Sequence, residues 1–132
     1  MMKNFFIIAV VSMMFASCSN DSDDNVLPLN TVEGKWLWSP DLEDRTLANT
    51  MYEFVDGIRY KSYANCWPEL CTDADWNALG SLDRIPGEQT YTFDENTLTI
   101  DETANAVTFE CDGGIMYFPN GAKFWRLSSD CN

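Results

Sequence analysis

From residue 31 onward, apolar side chains recur at every second position in short runs, and turn-forming residues close each run after a few steps. A period of two puts successive side chains on opposite faces of an extended chain, so each run reads as a strand with one buried face. About eight strands are expected, near 34–38, 50–55, 58–63, 88–93, 97–101, 105–111, 115–119 and 122–127. Turn signals at this spacing point to an all-β up-and-down barrel or a sandwich. Closure into a barrel would remove the unpaired edges that invite aggregation.

Several registers can be read from the same pattern. Around Asp56-Gly57, a three-residue loop with Gly57 left-handed pairs Phe54 with Ile58 and Tyr52 with Tyr60, and sets Glu53 opposite Arg59. A two-residue Asp-Gly turn would instead pair Phe54 with Arg59 and mix the faces. Segregation of apolar from polar side chains favours the three-residue loop. Tyr91 and Phe93 lead into Asp94-Glu95-Asn96-Thr97, and Leu98 and Ile100 lead out, so a four-residue loop puts all four on one face. Val107, Phe109 and Cys111 run to Gly113-Gly114, where a two-residue turn would set Met116 and Phe118 against them.

Two stretches break this rhythm. Residues 39–49 form a long connection with some helical character toward Ala48, and residues 64–87 form a longer one. Within the second, Thr72 can cap a short helix through Leu79, with Asp75 completing a capping box and Gly80 ending it. Trp76 and Leu79 then share a face and would pin the insertion to the sheet.

The N-terminus carries a different signal. Met1 to Asn4 is short and basic, Phe5 to Phe15 is apolar apart from Ser12, and Ala16-Ser17 are small. This is the layout of a cleavable secretory signal over residues 1–17. The apolar stretch is too short for a bilayer span, which needs roughly 20 residues. Phe15-Ala16-Ser17-Cys18 resembles the lipobox of bacterial lipoproteins, with Phe15 where that family usually has Leu. The resemblance implies that Cys18 is acylated and becomes the new N-terminus, anchoring the chain to a membrane. Residues 19–25 are polar and acidic with no apolar residue, too poor in apolar surface to fold, and residues 18–30 read as Cys18 and its tether. The tether resembles the acidic export tract of surface lipoproteins, and Ser19 after Cys18 does not match inner-membrane retention. The resemblance thus implies the outer membrane or cell surface.

Composition excludes several chemistries. With 21 acidic and 8 basic residues the formal charge is −13, which repels phosphate backbones and argues against nucleic-acid partners. The absence of His removes Ser-His-Asp and Cys-His catalysis, imidazole metal ligands and a neutral-range imidazole switch. Beyond Cys18, four cysteines remain: Cys66, Cys71, Cys111 and Cys131. In an oxidising compartment they read as two disulfides with three connectivities. Cys66–Cys71 with Cys111–Cys131 is favoured, because the first pair is local and the second ties the chain end to a strand. Their spacing fits no familiar zinc site. The acidic pairs Asp73/Asp75 and Asp94/Glu95 lack a calcium-loop pattern and read as a helix N-terminus and a turn. No metal, no cofactor and no catalytic carboxylate pair is therefore expected.

Gly34-Lys35-Trp36 opens the first strand and Arg126 stands late in the last. A Gly-x-Trp at the start of an eight-strand meander with an Arg near its end resembles the lipocalin and lipocalin-like families, over about residues 31–129. The long helix those families usually carry after the barrel is missing. The resemblance implies an eight-stranded antiparallel barrel over residues 31–132, with Trp36 closing its floor and Arg126 across the ring. It further implies a non-enzymatic module for a small apolar or amphipathic ligand, and on the registers above Tyr52, Phe54, Tyr60, Tyr91 and Phe93 would line the interior. The alternative is a filled barrel that engages a protein or glycan through loops 39–49 and 64–87, with Trp67 or Trp76 as anchors.

Overall fold

The computed structural model describes residues 30–132; the signal segment 1–17, Cys18 and nearly all of the tether lie outside them. Nine strands and one short helix follow in chain order: β1 (Gly34–Trp38), β2 (Thr50–Val55), β3 (Ile58–Ser62), α1 (Asp73–Asn77), β4 (Gln89–Asp94), β5 (Thr97–Ile100), β6 (Thr103–Ala106), β7 (Thr108–Glu110), β8 (Ile115–Tyr117) and β9 (Lys123–Arg126). The strands form one antiparallel sheet in the order β6-β5-β4-β3-β2-β1-β9-β8-β7, curled into a nearly closed barrel.

The expected strand at 105–111 is divided into β6 and β7. Val107, buried between them, gives its N–H to the Asn96 carbonyl at 2.8 Å rather than to a neighbouring strand. β6 pairs with β5 on one side and β7 with β8 on the other. The two open edges of the sheet are thus consecutive pieces of one segment, and the chain crosses the seam at Val107. The count of nine rather than eight follows from this corner.

The β2–β3 hairpin takes the register that face segregation disfavoured. Val55 pairs with Ile58, Phe54 with Arg59, Glu53 with Tyr60 and Tyr52 with Lys61. Asp56 and Gly57 both have positive φ (50° and 79°), the conformation of a type I′ turn, whose twist matches that of the strands. Local turn chemistry prevails because both displaced residues find partners. Arg59 goes inward over the Tyr52 ring, while Tyr60 goes outward under Arg84.

The other hairpins keep their faces. Phe93 pairs with Leu98 and Tyr91 with Ile100. At Gly113-Gly114 the two-residue turn is replaced by a four-residue loop, Cys111 to Gly114, that pairs Phe109 with Met116 and Glu110 with Ile115. A shift of two residues leaves the buried faces unchanged.

Two apolar clusters result. Inside the barrel lie Val32, Trp36, Phe54, Tyr91, Leu98, Ile100, Val107, Met116 and Phe124. On the outer face, Leu37 and Met51 are covered by Trp76 of α1, with Ala48 and Leu127 beside them. Thr72 and Asp75 form the capping box that starts α1. Arg45, in a 3-10 turn at Arg45–Leu47, pairs with Asp73 at 2.9 Å and ties the first long connection to the second. Disulfides join Cys66 to Cys71 and Cys111 to Cys131, the pairing favoured above.

Candidate functional site

One end of the barrel is closed by hydrogen bonds to carbonyls. The Arg126 guanidinium donates to the carbonyl oxygens of Gly113 at 3.1 Å, Glu33 at 2.7 Å and Thr31 at 2.5 Å. It lies 4.2 Å from the centre of the Trp36 ring, and the Trp36 indole N–H donates to the Val32 carbonyl at 2.8 Å. Three acceptors and a ring face compensate the burial of this cation, which lowers its pKa from the ordinary guanidinium value. Gly34 completes the floor. Its φ is +114°, and a Cβ there would sit 3.2 Å from Arg126 Nη1, so a side chain would press on the guanidinium.

The interior above the floor is largely occupied. Phe54 and Tyr91 meet edge-to-face with ring centres 5.0 Å apart, and the Tyr91 hydroxyl donates to the Glu33 carboxylate. Phe93 reaches over the seam to Phe109 at 6.0 Å, and Phe109 lies 6.3 Å from Trp36. Of the five residues expected to line a hollow interior, Phe54, Tyr91 and Phe93 therefore pack against other rings. Tyr60 is not interior at all. The register of the type I′ hairpin turns it outward, where Arg84 lies 3.7 Å above its ring and pairs with Glu53.

The other end is aromatic and, among the described residues, carries no comparable set of hydrogen bonds across it. Trp38, the last of the five residues of β1, pairs with Phe124 on the inner face. Tyr52 meets Phe124 at 5.5 Å and Phe118 meets it at 4.9 Å. Phe124 is buried, whereas Trp38, Tyr52 and Phe118 are only half-buried. Arg59 lies 4.7 Å from the centre of the Tyr52 ring, and Lys61 pairs with Tyr52 on the same face. Arg59 donates to the Gln89 side-chain oxygen, and Gln89 in turn donates to Asp101 at 2.8 Å. Burial pulls the Arg59 pKa down, while Tyr52 and Asp101 pull it back up. Among the described residues neither Arg59 nor Lys61 has a carboxylate within ion-pair distance, whereas Arg45 and Arg84 do.

The periodicity located Tyr52 but not its neighbours. Trp38 and Phe118 were legible as strand positions, yet nothing in the pattern marked which inner residues stand at this end. Arg59 was assigned to the outer face with the wrong hairpin register.

Outside the barrel, two clefts flank the insertion. One of about 500 Å³ is bounded by Glu33, Lys35, Glu53, Val55, Leu79 and Arg84. Another of about 400 Å³ lies between Leu37, Arg45, Leu70, Asp73 and Trp76. Of the two expected anchors in the insertion, Trp76 is core, 1% exposed, and Trp67 is 88% exposed on the loop closed by Cys66–Cys71. Asp75 is committed to the helix cap and Asp73 to Arg45. Among the described residues no three His, Cys, Asp or Glu side chains are grouped to hold a metal. Comparison with protein-family models, curated proteins and solved structures gives no match to the chain. The fold and the site thus define a class by geometry alone: a small disulfide-linked antiparallel barrel with one closed end and one aromatic, cationic end.

Proposed function

We propose that this chain is an exported, lipid-anchored, non-enzymatic binding module that holds a small amphipathic ligand at the open end of its barrel. The observation that carries this reading is the contiguous, half-buried set Trp38, Tyr52 and Phe118 around Phe124, opposite a floor sealed by Arg126. Ligand sites combine apolar walls with a few placed polar groups. Because rings occupy the interior below, the ligand sits in the mouth rather than deep in the barrel. Two disulfides are consistent with an oxidising compartment, and Cys18 remains the residue proposed to carry the lipid.

Native mass spectrometry of the secreted chain carrying Cys18→Ser tests the reading. The expected result is an adduct mass that is lost on denaturation, or one acquired from a panel of fatty acids, sterols and haem. A bare mass unmoved by the whole panel would overturn it.

A second reading is favoured by Trp67, whose exposure on a stapled loop is that of a protein- or glycan-contact residue. Under it, Trp67→Ala abolishes partner binding without touching ligand uptake at the mouth.

A further inference from the structure

We infer that the mouth is selective for an anionic head group, and that its ligand is a carboxylate carried on an apolar body, with Arg59 and Lys61 as the head-group residues. The inference rests on the binding reading above and adds the chemical class of the ligand.

The argument starts from the scarcity of positive charge. Only 8 of 132 residues are Lys or Arg. Arg126 serves the floor, while Arg45 and Arg84 are held in ion pairs. Arg59 and Lys61, two residues apart on one strand, face the same side as the half-buried Tyr52. A guanidinium has five N–H donors in a planar fork, and the described contacts of Arg59 use only one amino group, on Gln89. The guanidinium carbon lies 4.7 Å from the centre of the Tyr52 ring, within cation–π distance. Asp101 is engaged by the Gln89 amide and by the Thr90 N–H at 3.2 Å, so it holds Gln89 in place without itself pairing with Arg59. Trp38, Tyr52 and Phe118 then supply the apolar wall for the ligand body.

Partial desolvation strengthens a charge-assisted contact, and a planar fork matches a carboxylate through two N–H donors. Arg59→Lys would keep the charge and lose that match.

The test is a titration of the detergent-free chain carrying Cys18→Ser with decanoate, decanol and decylammonium below their micellar concentrations, followed by calorimetry and by Trp fluorescence. Decanoate should bind about tenfold or more tightly than decanol, and decylammonium most weakly. Arg59→Gln should remove most of the margin of decanoate over decanol, and Arg59→Lys should recover only part of it. Equal affinity for all three amphiphiles would overturn the head-group assignment and leave the binding reading standing. A carboxylate preference that survives both Arg59→Gln and Lys61→Gln would overturn the assignment to these residues. No binding by any of the three would overturn the inference, and a bare mass across the mass-spectrometry panel would overturn the binding reading separately.

Discussion

Tyr91 stands on the inner face of β4 with its ring against Phe54 and its hydroxyl on the Glu33 carboxylate. Burial first, then the hydrogen bond to Glu33 and its charge, raise its pKa above that of a free phenol. A phenol whose folded pKa is raised contributes stability that is complete below the unfolded value, about 10, and is lost as pH climbs through the folded value. The melting temperature should therefore hold up to about pH 10 and fall above it, and Tyr91→Phe should flatten that alkaline fall. A fall of the same steepness in the variant would show that other groups cause it. Arg126 lies 4.2 Å from the centre of the Trp36 ring, a contact that a resemblance implied and that no residue-level reading of the pattern required. Residue-level reading failed for Arg59 and Tyr60 because each is amphipathic and tolerates either face.

At the scale of elements, turn chemistry and face segregation competed, and turn chemistry prevailed wherever two residues could both adopt positive φ. Asp56-Gly57 was the visible case. Asp101-Glu102 was not visible: both residues have positive φ (44° and 71°) without a Gly or Asn to announce it, so the tight turn that starts β6 at Thr103 and the break at Val107 were illegible, although a strand on each side was expected. Helix α1 was legible from its cap, since Thr72 and Asp75 satisfy one another's donors. Its buried face makes a contrast within one insertion. Trp76→Ala should cost about 3–5 kcal/mol by emptying the outer cluster, whereas Trp67→Ala should stay within about 0.5 kcal/mol of the parent. Urea denaturation of the two variants measures both. Equal losses would mean that Trp67 is also packed.

For the whole molecule, the two disulfides are unequal constraints. Cys111–Cys131 closes a sequence separation of 20 residues and Cys66–Cys71 one of 5. By loop-closure entropy the first should contribute about 3 kcal/mol and the second about 2. Replacing each pair by Ser and measuring unfolding would give that order, and the reverse order would place the dominant effect in the folded insertion instead. The all-β class and the favoured cysteine pairing were legible because period and parity survive local error. Whether the interior was filled was not legible, since it depends on which rings meet across the barrel.

Arg126 holds the carbonyls of Thr31 and Glu33 against the floor, and β1 then runs from Gly34 at the floor to Trp38 at the mouth. The chain therefore enters the domain at its sealed end. An attachment on the N-terminal side, as proposed above, would leave from this sealed end, opposite the rim where the ligand is proposed to sit. Ligand exchange would then take place at the end remote from the attachment.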